Sequence, residues 1–130
     1  MNEVKERVFV IQPIESDNYR VLQEEAVALI ESANADYAGT VYQKIREVNP
    51  ATYIGEGKAE EIREMLTGLD VTVLFNGELS PSQTLNLSAA LDGRKVNDRT
   101  TLILDIFALR AESSEGKIQV ELAQLKYRAA

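Results

Sequence analysis

The sequence contains no cysteine and no histidine. Disulfide bonds, thiol nucleophiles, imidazole bases and metal sites built from thiolates or imidazoles are therefore excluded. The chain also lacks the roughly 18 consecutive apolar residues of a transmembrane helix, and Met1–Lys5 lacks the charged-then-apolar order of a signal peptide. We expect a cytoplasmic protein with no membrane span, no metal site and no cofactor bound to this chain.

Acidic side chains outnumber basic ones, and the basic ones are unevenly distributed along the chain. The chain carries 14 Lys and Arg against 21 Asp and Glu, and its net charge of −7 argues against wrapping a phosphate backbone. Half of the basic side chains nevertheless fall in residues 91–130: Arg94, Lys95, Arg99, Arg110, Lys117, Lys126 and Arg128. An RNA-facing surface would lie in this third of the chain; the alternative is that these cations are ordinary solvated side chains.

The length and the hydrophobic pattern fit one domain. With 130 residues, 45% of them hydrophobic, the chain can build one packed core. Short apolar segments alternate with helical patterns, which predicts parallel strands joined by right-handed crossovers. The predicted fold class is α/β, with a small parallel sheet of about four strands and helices on both faces.

The first half of the chain begins with a strand and a helix. Val8–Ile11 is an apolar strand, and Ser16-Asp17-Asn18 offers N-caps for the helix that follows. One face of this helix carries Leu22, Ala26, Leu29 and Ala33. Residues 40–48 are β-branched and mixed polar, as expected of an edge strand, which ends at Asn49-Pro50.

The second half repeats the alternation. An amphipathic helix is predicted to end near Gly68, and residues 71–75 are nearly all apolar, as in a strand at the centre of a parallel sheet. Ser80, Pro81 and Gln83 then have the spacing of a capping box at a helix start.

The last strand and the helix after it are both short. Residues 95–97 form the last predicted strand. Residues 102–109 are apolar nearly all round a helix, and this pattern predicts that the helix is buried.

The final helix pattern has two apolar sides. Ile118, Leu122, Leu125 and Ala129 fall on one side, and Val120, Ala123 and Tyr127 fall on the other. Two stripes require two partners, so we expect the returning arm of a helical hairpin or a dimer through the exposed stripe. The alternative is that the last turns fray. The predicted division is an α/β domain at 1–112 and a truncated helical subdomain at 113–130.

Three loop segments should lie together at the carboxyl ends of the strands: 55–58, 76–78 and 97–100. Each precedes a helix N-terminus, where free N–H groups favour an anion. The candidate anion, nucleotide or RNA contacts in them are Gly55, Gly57, Lys58, Asp98, Arg99 and Thr100. Residues 55–58 do not fit a Walker A loop, and the alternative is a tight glycine turn into a helix. No catalytic residues can be assembled.

Four segments resemble the N-terminal domain of the HflX family of ribosome-associated GTPases: residues 53–58, 78–83, 98–108 and 115–125. The resemblance runs from about residue 50 to the end of the chain, in the order and spacing of the family. It implies an α/β domain and a helical hairpin that precede a GTP-binding domain, absent from this chain, which uses GTP and Mg²⁺.

The resemblance also implies a partner, the large (50S) ribosomal subunit, and a role in splitting or rescuing stalled ribosomes under stress. This chain itself would be a non-catalytic docking or regulatory domain, since it lacks every GTPase motif of the family. Residues 112–114 depart from the arginine-rich approach usual in the family, which leaves Arg110 and Lys117 as the candidate RNA contacts there. The alternative function is an anion- or nucleotide-sensing α/β domain.

Overall fold

The computed structural model describes residues 5–110, apart from the side chains of Leu109 and Arg110. Four strands alternate with four helices along this part of the chain. The strands are β1 (Arg7–Ile14), β2 (Asp36–Lys44), β3 (Thr72–Phe75) and β4 (Val96–Asp98). The helices are α1 (Tyr19–Ser32), α2 (Glu56–Met65), α3 (Pro81–Ala90) and α4 (Arg99–Arg110).

The strands form one parallel sheet in the order β2-β1-β3-β4. β1 lies inside the sheet and pairs with β2 along its whole length and with β3 from Val8 to Ile11. Its residues from Val8 to Pro13 are all buried, because both faces and both edges of this strand are covered. The predicted α/β class with a four-stranded parallel sheet is confirmed, and so is the inner position of the strand predicted at 71–75.

The two faces of the sheet carry separate apolar layers. Phe9, Ile11 and Phe75 face α2 and α3, whose buried residues include Ile62 and Leu87. The intervening residues point the other way, since side chains alternate along a strand. On that second face, α1 and α4 cover a core made of Val8, Val10, Ala26, Ile30, Leu74, Leu102 and Ile106. Helices therefore lie on both faces, as predicted.

The start of α3 has the predicted capping box. The Ser80 hydroxyl accepts a hydrogen bond from the Gln83 N–H at 3.1 Å, and the Gln83 side chain accepts one from the Ser80 N–H at 2.9 Å. Pro81 occupies the first helical position, where its missing N–H costs nothing. These bonds fix where the chain leaves β3 and enters the helix.

Two predicted elements were wrong in detail. The edge strand predicted at 40–48 is β2, which begins at Asp36 and ends at Lys44, because pairing with β1 rather than local composition sets its ends. The helix predicted to be buried all round is α4, and its Phe107 is 56% exposed. Leu102 and Ile106 are buried against the sheet and α1, and a sheet covers only one side of a helix.

The paired apolar stripes of the final helix lie outside the described residues. This applies to the inter-helix packing residues Ile118, Leu122, Leu125 and Ala129 and to the dimer predicted through them. Within residues 5–110, no helix is both long enough and apolar enough to cross a membrane.

We predict that Ser80→Ala lowers the free energy of unfolding by about 1 kcal/mol, because the N-terminal turn of α3 loses the acceptor for the Gln83 N–H. Ser82→Ala is the matched control: Ser82 is exposed on the same turn, and its loss should change stability by less than about 0.5 kcal/mol. Urea denaturation of both variants measures the difference, and equal stabilities would contradict the role of the cap.

Candidate functional site

Two of the three predicted loop segments meet at the carboxyl edge of the sheet. Asp98 ends β4 and is 4% exposed. One carboxylate oxygen accepts a hydrogen bond from the Leu79 N–H at 3.2 Å, and the other accepts one from the Thr101 N–H at 2.9 Å. The Arg99 N–H donates to the Gly77 carbonyl at 3.1 Å. The segments 76–78 and 97–100 are thus joined directly.

These bonds make Asp98 the cap of α4. Its carboxylate occupies the place at the helix N-terminus where an external anion would bind, and its charge is stabilised there by the helix dipole. Thr100 lies in the first turn and is half-buried. Whether either residue contacts a ligand stays a prediction.

Arg99 is paired within the chain. Its guanidinium lies 2.6 Å from the Glu25 carboxylate and joins the start of α4 to the middle of α1. The Arg99 side chain is 27% exposed, so a nucleic acid would have to compete with Glu25 for it. Arg99 is therefore placed to orient two helices on the same face of the sheet.

Arg94 is also occupied by its own chain. Its guanidinium donates to the carbonyls of Leu66 and Leu69, each at 2.6 Å, and more weakly to that of Val71. Carbonyls at the end of a helix lack intrahelical donors, and a cation there is favoured by the dipole. Arg94 thus closes the turn between α2 and β3, and RNA would have to compete with these carbonyls for its guanidinium.

The third predicted segment, 55–58, begins α2. Gly55 is the N-cap with a φ of 94° and no side-chain cap, a conformation that favours glycine. Its N–H donates to the Thr52 hydroxyl at 3.1 Å. Gly57 has open space around it, and Lys58 is half exposed and 3.7 Å from Glu61. The predicted glycine turn into a helix is present.

The loop before this turn is held in place by side chains. The Asn49 amide oxygen accepts hydrogen bonds from the N–H groups of Ala51 and Thr52 at 2.8 and 3.0 Å. Gln83 of α3 donates to the Asn49 carbonyl at 3.2 Å. Gln83, which belongs to the capping box of α3, therefore also anchors the loop that leads into α2.

An open groove lies beside this turn. Its lining includes three cations, Lys44, Arg46 and Lys58, together with the acidic Glu47 and the buried Ile54. The first N–H groups of α2 are near because Lys58 belongs to the first turn. This groove combines positive side chains with a helix N-terminus, a combination that suits an anion.

Tyr53 connects the same loop to the end of β1. Its hydroxyl donates to the Glu15 carboxylate at 2.8 Å, and its ring lies 4.8 Å from that of Phe75 between centroids. Its φ is 70°, a left-handed conformation that is unusual for a bulky residue. Burial, then the hydrogen bond to Glu15 and the charge of Glu15, raises the pKa of Tyr53 to about 12.

A buried amide pair at the same edge was missed by sequence reasoning. The Asn76 amide nitrogen donates to the Gln12 side-chain oxygen and, at 2.9 Å, to the Leu22 carbonyl of α1. Both side chains are almost fully buried. One signal was available in the sequence: Gln12 directly follows the apolar residues 8–11 of the predicted strand. A buried side-chain amide needs a hydrogen-bond partner, so a second polar side chain was to be expected beside it.

The structure does not test the remaining candidates. The side chain of Arg110 and the whole of Lys117 lie outside the described residues. Among residues 5–110, no group of three or more acidic side chains is placed to hold a metal ion.

A family model described as GTP-binding GTPase N-terminal matches residues 21–108. GTPase HflX of Lacrimispora saccharolytica is 45% identical over 100% of this chain and 31% of its own length. GTPase HflX of Escherichia coli is 45% identical over 82% of this chain and 25% of its own length. The chain thus spans less than a third of the length of these curated relatives.

Solved structures show the same similarity. A GTP-binding protein from the hyperthermophilic archaeon Sulfolobus solfataricus, in complex with GDP, superposes with a TM-score of 0.71 and 32% sequence identity. The superposition covers 94% of this chain and 36% of that chain.

We predict that Tyr53 ionises at a higher pH than a tyrosine side chain in the unfolded chain. Its raised pKa means that the folded protein holds the phenol proton more tightly than the unfolded chain does. The resulting stabilisation is complete below pH 10 and is lost as the pH rises through about 12.

Tyrosinate absorbance during alkaline titration, compared between wild type and Tyr53→Phe, measures this. The variant should lack a step near pH 12. Tyr42→Phe is the matched control, because Tyr42 is 48% exposed and its loss should leave that step in place. Loss of an ordinary step near pH 10 in Tyr53→Phe would contradict the prediction.

Proposed function

This chain belongs to the family of HflX GTPase N-terminal domains, and we propose that it is the docking and regulatory domain of such a GTPase and is not catalytic by itself. The family match over residues 21–108 carries this proposal. It begins within α1 and ends within α4, so it spans most of the α/β layers.

We assign GTP binding and hydrolysis to the rest of the parent protein. The curated relatives named GTPase HflX are more than three times as long as their match to this chain. A P-loop with its lysine and Mg²⁺-binding hydroxyl is what GTP chemistry of this kind requires. The 130 residues of this chain contain no such pattern, so GTP and Mg²⁺ belong to a further domain.

We propose the ribosomal RNA of the large subunit as the partner, with splitting or rescue of stalled ribosomes in the cytoplasm as the role. Arg94 and Arg99 are hydrogen-bonded within the chain, so we do not propose them as RNA contacts. Among the candidate contacts that the family resemblance indicates, we keep Arg110 and Lys117, at the junction of the α/β domain and the helical subdomain. We place that junction after residue 112, with Ile118, Leu122, Leu125 and Ala129 packing on the returning arm of a hairpin.

A second candidate function is recognition of a nucleotide or other anion by the α/β domain. The groove that contains Lys44, Arg46 and Lys58 favours it, because these cations lie beside the uncapped N-terminus of α2. Glu47 and Glu61 reduce the positive charge there. The capped N-terminus of α4 does not add to this site. Docking therefore remains the first proposal.

We predict that the chain co-sediments with isolated large subunits at low salt and that binding weakens as salt increases. Phosphate contacts release counterions, so the logarithm of affinity falls linearly with the logarithm of salt concentration. The double variant Arg110→Glu, Lys117→Glu should bind more weakly and reduce the magnitude of the salt slope by about one to two.

The matched control is Lys44→Glu, Arg46→Glu, which makes the same charge change at exposed positions at the carboxyl end of β2. α4 begins at the carboxyl ends of the strands and runs away from them toward Arg110. The control variant should bind like the wild type. Failure of the wild-type chain to bind at low salt, or equal loss in the two double variants, would contradict the docking surface.

We predict that calorimetric titration with GTP, GDP, ATP and inorganic phosphate gives no saturable heat, since the proposed docking role needs no nucleotide on this domain. A saturable heat that disappears in Lys58→Ala and persists in Lys95→Ala would instead support the anion site. Lys95 is a suitable control because it is similarly exposed and paired with Glu6 at the opposite edge of the sheet.

A further inference from the structure

The outer edge of β2 is long and open. β2 has nine residues and pairs with β1 on its inner side. None of residues 5–110 pairs with its outer side, since β2 is the first strand of the sheet. The other edge strand, β4, has only three residues. An unpaired strand of this length presents a row of free N–H and C=O groups to solvent.

The direction of these groups follows from the bonds to β1. The Ile45 N–H, directly after β2, donates to the Ile14 carbonyl at 3.1 Å. Backbone groups alternate in direction along a strand, so those of Thr40, Tyr42 and Lys44 point away from β1. Thr40 therefore offers both a donor and an acceptor near the middle of the open edge.

This edge has little of the protection that natural edge strands carry. Proline and charged side chains usually block edge pairing, and residues 37–43 contain neither. The one protective device is the bulge where the register shifts opposite Val8 and Phe9. The exposed rings of Tyr37 and Tyr42 flank Thr40. The hydroxyls of Tyr37 and Thr40 are hydrogen-bonded, which places both on the α1 face, and Tyr42 follows two residues later.

We propose that β2 pairs with β2 of a second copy of this chain, antiparallel about a twofold axis at Thr40. Each Thr40 would then exchange two backbone hydrogen bonds with its equivalent, as directly opposite residues do in a hydrogen-bonded antiparallel pair. The two four-stranded sheets become one continuous sheet. Because the sheet formed by residues 5–110 has one long open edge in each copy, the interaction closes at a dimer.

The side chains of β2 favour this direction and partner. An antiparallel arrangement brings the end with Asp36 beside the end with Lys44 of the other copy, whereas a parallel one would align like charges. The bulge before Thr40 brings Tyr37 of one copy beside Tyr42 of the other on the α1 face, and cross-strand aromatic pairs stabilise sheets. The self-complementary order of these residues points to a second copy as the occupant.

Sedimentation velocity of the 130-residue chain over a range of concentrations tests the proposal. A reversible monomer–dimer equilibrium is expected. Thr40→Lys places two ammonium groups opposite each other at the twofold axis and should raise the dimer dissociation constant by about tenfold or more. Thr67→Lys is the matched control, on an exposed turn after α2, and should leave the constant unchanged. A wild-type chain that is monomeric at every concentration would overturn the proposal, as would equal dissociation constants in wild type and Thr40→Lys.

Hydrogen exchange on the wild-type chain keeps the test independent of how the variants fold. The amides of Thr40 and Tyr42 should exchange more slowly at high protein concentration than at low concentration. The Val41 amide, which points toward β1 by the same alternation, should show no such dependence. Concentration-independent exchange at Thr40 overturns the proposal. The result is separate from ribosome binding, because self-association and exchange are measured on the isolated chain and neither Arg110 nor Lys117 belongs to β2.

Discussion

The pairing of β1 with strands on both of its sides is the constraint on which the rest of the structure depends. β1 fixes the register of β2 along eight residues and that of β3 along four. Its alternating side chains define the two cores, with Phe9 and Ile11 on one face and Val8 and Val10 on the other. Right-handed crossovers then assign α1 to one face and α2 and α3 to the other, and α4 packs on the face that α1 covers. The loops that carry the candidate residues gather at the carboxyl edge for the same reason.

The fold could be predicted from the sequence wherever a local pattern reports burial or capping. The apolar segment at 71–75 and the Ser80 capping box are each recognisable from a few neighbouring residues. Both predictions were confirmed. The bounds of β2 were wrong because an edge strand is half-exposed and its ends depend on pairing with Arg7–Ile14. The role of Asp98 depends on the N–H of Leu79, 19 residues earlier in the chain. Such non-local bonds leave no periodic signal in the sequence.

The number of basic residues in a segment does not say how many of them are available to bind a partner. The C-terminal third of the chain is the more basic part, yet Arg94 binds carbonyls at the end of α2 and Arg99 binds Glu25. A guanidinium engaged in this way stabilises the fold, and diverting it to a phosphate would leave carbonyls or a carboxylate without a donor. Counting cations therefore overstates the RNA-binding capacity of residues 91–110. Because Arg94 and Arg99 are engaged within the chain, the docking proposal rests on Arg110 and Lys117.

Side-chain hydrogen bonds hold the loops at the carboxyl ends of the strands in place. Asp98 joins two loops, Asn49 organises a third, and Gln83 connects that third loop to α3. Tyr53 adds a bond to Glu15 at the end of β1, although its left-handed backbone costs energy. A surface that is already ordered loses little conformational entropy when it binds, so more of its contact energy appears as affinity. This ordering bears on the proposed anion groove of Lys44, Arg46 and Lys58, which lies beside these loops. It does not bear on the proposed docking contacts, since α4 begins at the carboxyl edge and Arg110 is its last residue.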